Sequence, residues 1–117
     1  MRTIIAGTRN INSYQQVCNA ISAAELYGIS CKHIITGGCR GVDTLGINYA
    51  KNNNIEFTIY NADWNLYGKS AGPIRNEIMS RNADALIAIW DGKSKGTADM
   101  IKKAENENLI IYIHKIK

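Results

Sequence analysis

Residues 34–43, IITGGCRGVD, constrain the fold of this chain more than any other segment. A short β-branched run ends in two glycines, and apolar residues at helical spacing begin within a few positions. This order is typical of a strand, a tight turn and a helix N-terminus in α/β proteins. Because glycine lets the backbone approach a ligand and the helix dipole favours negative charge, such a turn is suited to binding phosphate.

Two further stretches have the same character. Residues 6–9, AGTR, follow an apolar strand, and residues 91–97, DGKSKGT, follow the continuous apolar run at 85–90. A continuous apolar run is typical of a central parallel strand that is buried on both faces. Glycine turns after three strands of one small domain predict a pocket for a nucleotide or another phosphorylated ligand.

Strand and helix patterns alternate along the chain. Helix 13–26 begins after Ser13, a predicted N-cap, and residues 61–72 are predicted to be irregular. Pro73 is predicted at the first position of the next helix, where its missing N–H is tolerated. The strands are predicted at 2–6, 32–36, 56–60, 85–90 and 109–113, and the other helices at 42–50, 73–82 and 97–107.

This alternation predicts an α/β fold with a doubly wound, five-stranded parallel sheet of order 3-2-1-4-5. Parallel strands need crossover helices, and these crossovers are right-handed. In such sheets the ligand crevice lies outside the carboxyl ends of strands 1 and 4, where the strand order reverses. The three glycine turns follow strands 1, 2 and 4, so they are expected to converge on that crevice.

Length, composition and charge narrow the class of protein. The 117 residues suffice for a single domain, 1–117. The net charge of +4 indicates either a nucleic-acid partner or, as the favoured interpretation, a solvated surface with some preference for anionic ligands. No apolar run approaches the ~20 residues that span a bilayer, and no signal peptide pattern is present, so a cytoplasmic protein is expected. The three cysteines lack metal-ligand spacing and are predicted to be free thiols. No metal and no cofactor is predicted.

Arg75 and Asn76 are the most informative polar residues outside the glycine turns. Arg75 falls near a predicted helix N-terminus, where a cation is unfavourable by roughly 0.3–1 kcal/mol. A ligand phosphate or carboxylate would offset this, and the alternative is a solvated surface arginine. Asn76 beside it can both donate and accept hydrogen bonds.

Other candidates have both structural and functional interpretations. Asp43 either complements the dipole of its helix, or binds a ribose or holds the glycine loop in shape. Thr97 is predicted to cap the following helix and Asp99 to favour its first turn, while Gly96 and Thr97 could also donate to a phosphate. Trp64 after Asp63 could stack on a base, but a plug at the edge of the core is the favoured interpretation. Trp90 is expected to be structural.

The predicted ligand-binding residues lie in these turns and in the segment after the third strand. A cysteine nucleophile at position 39 is not expected, because no histidine is close in sequence. The predicted set comprises Gly7, Thr8, Arg9, Gly37, Gly38, Gly41, Asp43, Asp63, Trp64, Arg75, Asn76, Asp91, Gly92, Gly96 and Thr97.

Five motifs occur in order along nearly the whole chain, and together they resemble the YspA-like branch of the SLOG superfamily. They are residues 6–9 (AGTR), 36–43 (TGGCRGVD), 62–64 (ADW), 71–76 (AGPIRN, with Met79) and 96–101 (GTADMI). This superfamily groups Rossmann-like domains related to the Lonely Guy phosphoribohydrolases and to DprA. The resemblance implies a three-layer Rossmann-like fold that binds nucleotides or nucleotide-derived molecules, including in bacterial and phage conflict systems.

The resemblance to Lonely Guy enzymes also identifies candidate catalytic residues. Their arginine before the fourth strand matches Arg75, and Gly96 and Thr97 match part of their P-G-G-x-G-T-x-x-E segment. The position of the glutamate holds Met100, with Asp99 beside it. If the chain is an enzyme, the catalytic residues expected from this resemblance are Arg75 and Asp99.

Three hypotheses follow. The leading one is a binding protein for a nucleotide-derived ligand, which acts as a sensor, carrier or sequestering sponge. The second is a hydrolase that cleaves the N-glycosidic bond of nucleoside monophosphates, with Asp99 or Asp43 as its carboxylate. The third is a DprA-like single-strand DNA binder, but no basic stripe with interleaved aromatic residues appears, so nucleic acid is not the expected partner. Relatives commonly dimerise, so a homodimer is expected, without a membrane partner.

Overall fold

The computed structural model describes residues 1–116 and has a five-stranded parallel sheet at its centre. The order is β3-β2-β1-β4-β5, and all four neighbouring pairs are parallel. The predicted fold class and strand order are therefore confirmed. The strands are β1 (Arg2–Gly7), β2 (His33–Thr36), β3 (Glu56–Ile59), β4 (Ala85–Trp90) and β5 (Ile110–Lys115).

Helices cover both faces of the sheet. Ser13 caps α1 as predicted, since its hydroxyl oxygen accepts a hydrogen bond of 3.3 Å from the Gln16 N–H. The helix α2 ends at Asn52, two residues later than predicted, with Asn53 as its C-cap, and Asn54 after it has a φ of 55°. The helices are α1 (Tyr14–Leu26), α2 (Val42–Asn52), α3 (Trp64–Tyr67), α4 (Ala71–Arg81) and α5 (Lys95–Asn106).

Two apolar clusters, one on each face of the sheet, form the core. Alternation along β1 directs Ile5 to the face covered by α1 and α2, and Ile4 to the face covered by α4 and α5. In β4, Ile87 and Leu86 divide between the two faces in the same way. The sheet is thus the middle of three layers, and its carboxyl end is the edge that the loops after β1, β2 and β4 surround.

The segment predicted to be irregular contains regular structure. Residues 64–67 form the one-turn helix α3, and a 3₁₀ turn at Gly68–Ser70 leads directly into α4. Because Ser70, the last residue of this turn, already has right-handed helical dihedral angles, α4 begins at Ala71, and Pro73 is its third residue instead of its first. The first four N–H groups of a helix have no partner within the helix, so proline is tolerated there as well.

The start of α5 also differs from the prediction. Ser94, not Thr97, is the N-cap, since the Ser94 hydroxyl oxygen accepts from the Thr97 N–H at 3.4 Å. The helix therefore starts two residues earlier than predicted, and Asp99 is its fifth residue, beyond the first turn. Thr97 is buried and its hydroxyl donates to the Ser94 hydroxyl at 3.1 Å.

No helix among residues 1–116 is both long and apolar enough to cross a bilayer. In the same residues, Cys18, Cys31 and Cys39 are free thiols, and no three His, Cys, Asp or Glu side chains lie close enough to hold a metal ion.

Candidate functional site

A cleft lies at the carboxyl ends of β1, β2 and β4, and Arg9 and Arg75 line all three of its adjoining cavities. The inner cavity, of about 70 Å³, is formed by Gly7, Asp43, Thr97 and other residues. One outer cavity, of about 440 Å³, adjoins Gly37, Gly38 and Trp64. The other, of about 250 Å³, lies between Trp64 and the start of α5. Loops that follow β1, β2 and β4, three neighbouring strands of the sheet, thus meet in one cleft, at the predicted edge of the sheet.

Asp43, in the first turn of α2, is a buried carboxyl group in the wall of the inner cavity. Burial raises its pKa from 3.8 to about 6, although the Cys39 N–H and the Arg75 guanidinium act in the opposite direction. The N–H of Cys39 donates to Asp43 Oδ2 at 3.2 Å, so the carboxyl group also holds the glycine loop. A carboxyl group with this pKa changes its charge within the range from weakly acidic to neutral pH.

Gly41 fixes the glycine loop against the end of β1. Its φ is 84°, a conformation that side chains disfavour. A Cβ atom at this position would lie 2.6 Å from the carbonyl oxygen of Arg9 and 2.7 Å from that of Thr8. Only glycine fits this contact, which brings the loop after β2 beside the loop after β1. Gly41 therefore shapes the cleft, but it does not line the inner cavity or either outer cavity.

Arg75 projects from α4 across the cleft to the glycine loop. Its Nη1 donates to the carbonyl oxygen of Gly37 at 2.9 Å and lies 3.8 Å from the sulfur of Cys39, while its Nε donates to Asn76 Oδ1 at 3.0 Å. No carboxylate among residues 1–116 forms an ion pair with this guanidinium within 4 Å. The cation is therefore held in position by neutral acceptors and its charge remains available to a ligand.

Asn76 links Arg75 to α5. It is buried, and its Nδ2 donates to Asp99 Oδ2 at 3.0 Å and to the Gly96 carbonyl oxygen at 3.4 Å. The other carboxylate oxygen of Asp99 pairs with the Lys103 Nζ at 3.1 Å. Both oxygens of Asp99 are thus engaged, which suits a carboxylate that positions its neighbours better than one that transfers protons.

Cations outnumber carboxylates around the cleft. Arg9 and Arg75 are joined by Arg40 in the larger outer cavity and by Lys95 in the smaller one. The acids are the buried Asp43 and the paired Asp99. With Asp99 neutralised by Lys103, the field in the cleft favours an anion.

Open backbone at Gly96 is a second feature that suits an anion. Gly96 lines the inner cavity near the N-terminus of the twelve-residue helix α5, and apart from its chain neighbours and the backbone of its own helix, no heavy atom of the described residues lies within 4 Å of where its Cβ would be. Gly37, in contrast, is covered by the Arg75 guanidinium, whose Nη1 would lie 2.7 Å from a Cβ. The space beside Gly96 is therefore open to a ligand at the start of α5, whereas a ligand at the loop after β2 meets Arg75 as well.

Trp64 lies at the border between the two outer cavities. The favoured expectation of a plug at the edge of the core is wrong, since 52% of its surface is exposed. Asp63 caps the short helix that carries Trp64, accepting from the Leu66 N–H at 3.1 Å.

The predicted structural role of Trp90 agrees with the hydrogen bond of 3.1 Å from its indole N–H to the Ser94 carbonyl oxygen.

Some predicted site residues lie away from the cleft. Thr8 is buried, and its hydroxyl oxygen accepts from the Asp91 N–H at 3.1 Å. Asp91 in turn accepts from the N–H groups of Lys93 and Ser94, each at 2.8 Å, and these bonds lower its pKa. Gly92 adjoins Lys115 instead of the cleft. These residues shape the loop between β4 and α5, while Gly96 and Thr97 at its end reach the inner cavity.

Sequence reasoning missed several residues that line the cleft. Ser94 could have been found as a cap-forming residue ahead of the helical pattern, and Asn61 as a polar residue shortly after β3. Arg40 and Lys95 carry no local signal that separates them from other surface cations. Met100, which occupies the position of the glutamate in the Lonely Guy motif, is buried and lines the inner cavity.

Comparison with known proteins agrees with the fold and with the motifs. Residues 1–67 match the sequence profile of the YspA, cpYpsA-related SLOG family. The Gene 61 protein of Mycobacterium phage D29 is 31% identical over 118 aligned positions, which cover 92% of this chain and 91% of the phage protein.

The fold is also similar to that of DNA processing protein A (DprA) from Streptococcus pneumoniae, with a TM-score of 0.70 and 15% sequence identity. The match includes 96% of this chain, which spans about half, 49%, of the DprA chain. The resemblance inferred from the ordered motifs is thus confirmed. This chain belongs to the YspA, cpYpsA-related SLOG family.

Proposed function

We propose that this protein binds a nucleotide or a nucleotide-derived phosphorylated small molecule in the cleft. The observation that carries the proposal is the meeting of unpaired Arg75, exposed Arg9 and the open backbone of Gly96 around adjoining cavities. Charge-assisted hydrogen bonds from arginine and N–H groups near a helix N-terminus are the usual means of holding phosphate. The larger outer cavity, of about 440 Å³, has the size of a small-molecule site, and the smaller one, of about 250 Å³, shares Arg9, Trp64 and Arg75 with it.

The same cleft supports binding more strongly than catalysis. Asp99 has both oxygens engaged, by Asn76 and Lys103, and Met100 has no group that could transfer a proton. The proposed protein therefore acts as a sensor, carrier or sequestering sponge. A role in bacterial or phage conflict signalling, which the family resemblance implies, is part of this proposal, and the similar Gene 61 protein comes from a phage.

We expect Arg75→Ala to weaken nucleotide binding by about tenfold to a hundredfold, because a hydrogen bond to a charged group contributes roughly 1.5–3 kcal/mol. Isothermal titration calorimetry with nucleoside mono-, di- and triphosphates and cyclic nucleotides measures the change. Arg81→Ala is the matched control, since Arg81 lies on the same helix and pairs with Glu77 at 3.0 Å. Equal affinities for wild type and a folded Arg75→Ala variant would remove Arg75 from the site.

A phosphoribohydrolase is the second candidate, and the observation in its favour is Asp43. Its carboxyl group lines the inner cavity with a pKa near 6, within the range of a general acid or base at physiological pH. We nevertheless expect weak or absent turnover of nucleoside monophosphates. An oxocarbenium-like transition state needs a correctly oriented carboxylate, and Met100 occupies the position of the glutamate in the Lonely Guy motif. Chromatography of purine and pyrimidine monophosphates after incubation measures release of the base. Release that Asp43→Asn or Asp99→Asn abolishes would establish the hydrolase instead.

Two partner proposals accompany this function. A homodimer is supported by the exposed apolar side chains of Leu66, Tyr67 and Ile78 on α3 and α4, and sedimentation velocity measures the oligomeric state.

Nucleic acid is not the expected partner, although DprA is described as a DNA processing protein. Titration with a single-stranded oligonucleotide tests this alternative, since a nucleic-acid site would bind it at least as tightly as mononucleotides.

A further inference from the structure

Trp64 is exposed in a way that the packing of the fold does not explain. None of the four residues of α3 is buried, so this helical turn contributes little to the core. Its largest side chain, Trp64, nevertheless has 52% of its surface exposed. Tryptophan is normally highly buried, and an exposed one in a concave region is a common sign of a binding surface.

The position of the ring is defined by α4. A Cβ at Gly72 would lie 3.4 Å from Trp64 Cη2, so the far edge of the indole rests against the backbone of α4. The Asp63 cap fixes the start of the short helix from the other side. The indole is therefore supported at its edge, and the same side chain borders the two outer cavities.

We propose that Trp64 is the surface on which the base of a nucleotide stacks while Arg9 and Arg75 hold its phosphate. This inference rests on the proposed function and deepens it, because it restricts the ligand to molecules that carry an aromatic base. Both arginines line the same two outer cavities as Trp64, so one ligand could contact the ring and the cations together. Stacking accepts any base, because every base has a π-face.

Asn61 supplies the polar contact that such a ligand needs. It is exposed in the larger outer cavity beside Trp64, and its amide can donate to and accept from the edge of a base. Leu66 and Tyr67 on the same helix are also exposed, at 67% and 47%, yet they line neither the inner cavity nor the two outer cavities of the cleft. Position in the cleft therefore distinguishes Trp64 from its exposed neighbours.

The experiment compares AMP, GMP, CMP and UMP with ribose 5-phosphate, which lacks the base. Calorimetry on the wild-type protein is expected to give tighter binding of the nucleotides than of ribose 5-phosphate. Trp64→Leu should weaken nucleotide binding by about fivefold to a hundredfold and leave ribose 5-phosphate unchanged. Trp64→Phe should restore most of the affinity, and Leu66→Ala is the matched control for loss of an exposed apolar side chain.

Tryptophan fluorescence provides a second measurement. Nucleotides should quench the emission of the wild-type protein, and the quenching should disappear in Trp64→Phe, which still binds. If nucleotides bind and Trp64→Leu changes their affinity no more than that of ribose 5-phosphate, stacking is wrong while the phosphate site stands. If wild-type protein binds neither these five probes nor the nucleoside di- and triphosphates and cyclic nucleotides, the proposed function fails, and the stacking proposal fails with it. Loss of dimerisation in Trp64→Leu without a nucleotide-specific effect would assign the ring to a contact between copies of this chain.

Discussion

Gly41→Ala is expected to destabilise the protein by about 3 kcal/mol, because the added methyl group would combine backbone strain with a collision. The strain arises from the φ of 84°, and the collision from the Arg9 carbonyl oxygen 2.6 Å from the new Cβ. The carbonyl oxygens of Arg9 and Thr8, which both lie close to the new Cβ, are backbone atoms just after β1, so neither can rotate away as a side-chain atom would. The glycine loop would have to move away from β1, and Asp43 with it.

Equilibrium unfolding in urea measures this loss, and Gly28→Ala is its control. Gly28 also has positive φ, 101°, but apart from its two chain neighbours, no heavy atom of the described residues lies within 4 Å of where its Cβ would be. Gly28→Ala should therefore cost only the conformational part, about 1–2 kcal/mol. If the two variants lose the same stability, the close contact between the glycine loop and β1 does not exist in solution.

Asp43→Asn is expected to stabilise the protein at neutral pH by about 1.5–3 kcal/mol. The pKa of Asp43 is about 6 in the folded protein, against 3.8 as the ordinary value, so the folded state binds the proton more tightly. The contribution of this group is therefore full below pH ~4 and is lost as the pH rises through ~6. Asparagine removes the buried charge, and its side-chain oxygen can still accept from the Cys39 N–H.

The measurement is the free energy of unfolding of wild type and Asp43→Asn between pH 4 and 8. The difference between them should be small near pH 4, grow up to pH ~6 and then remain constant. Comparing the two proteins cancels the titration of the other carboxyl groups. A difference that is independent of pH, or a variant that is less stable at pH 8, would show that the Asp43 carboxylate is stabilised by its surroundings.

A carboxylate that lowers stability and lines a cleft suggests selection for function over stability. Proteins commonly accept such losses where a ligand or a reaction needs the group. The inner cavity brings Asp43 close to Thr97 and Arg75, where a ligand hydroxyl could donate to it. We therefore expect Asp43→Asn to gain stability and to lose affinity for ribose-containing ligands.

The fold could be predicted from the sequence because its signals are local and repeated. The apolar run of β4, the helical spacing after Ser13 and the glycine turn before Asp43 each specify an element, and known rules of parallel sheets then give the order. Element boundaries were less predictable where two residues compete for one role. Ser94 and Thr97 can both cap a helix, and only the extended dihedral angles of Ser94 decide between them.

The site could be predicted only in part, because its remaining features arise from contacts between distant segments. The position of Arg75 over Gly37 joins residues 38 positions apart. The exposure of Trp64 follows from its place on a one-turn helix without buried residues, whose indole edge lies against Gly72 of α4. The separation of Asp91 from the cleft depends on its hydrogen bond to Thr8, 83 positions away. No local pattern contains this information.

The most direct test of a phosphorylated ligand in the cleft is a ¹H–¹⁵N correlation spectrum during titration with pooled nucleotides. We expect the backbone amides of Gly7, Gly38, Gly96 and Thr97 to shift together and to saturate at a common ligand concentration. The amide of Gly28, at the far end of α1, should not move. Shifts confined to another surface, or none at millimolar nucleotide, would contradict the account.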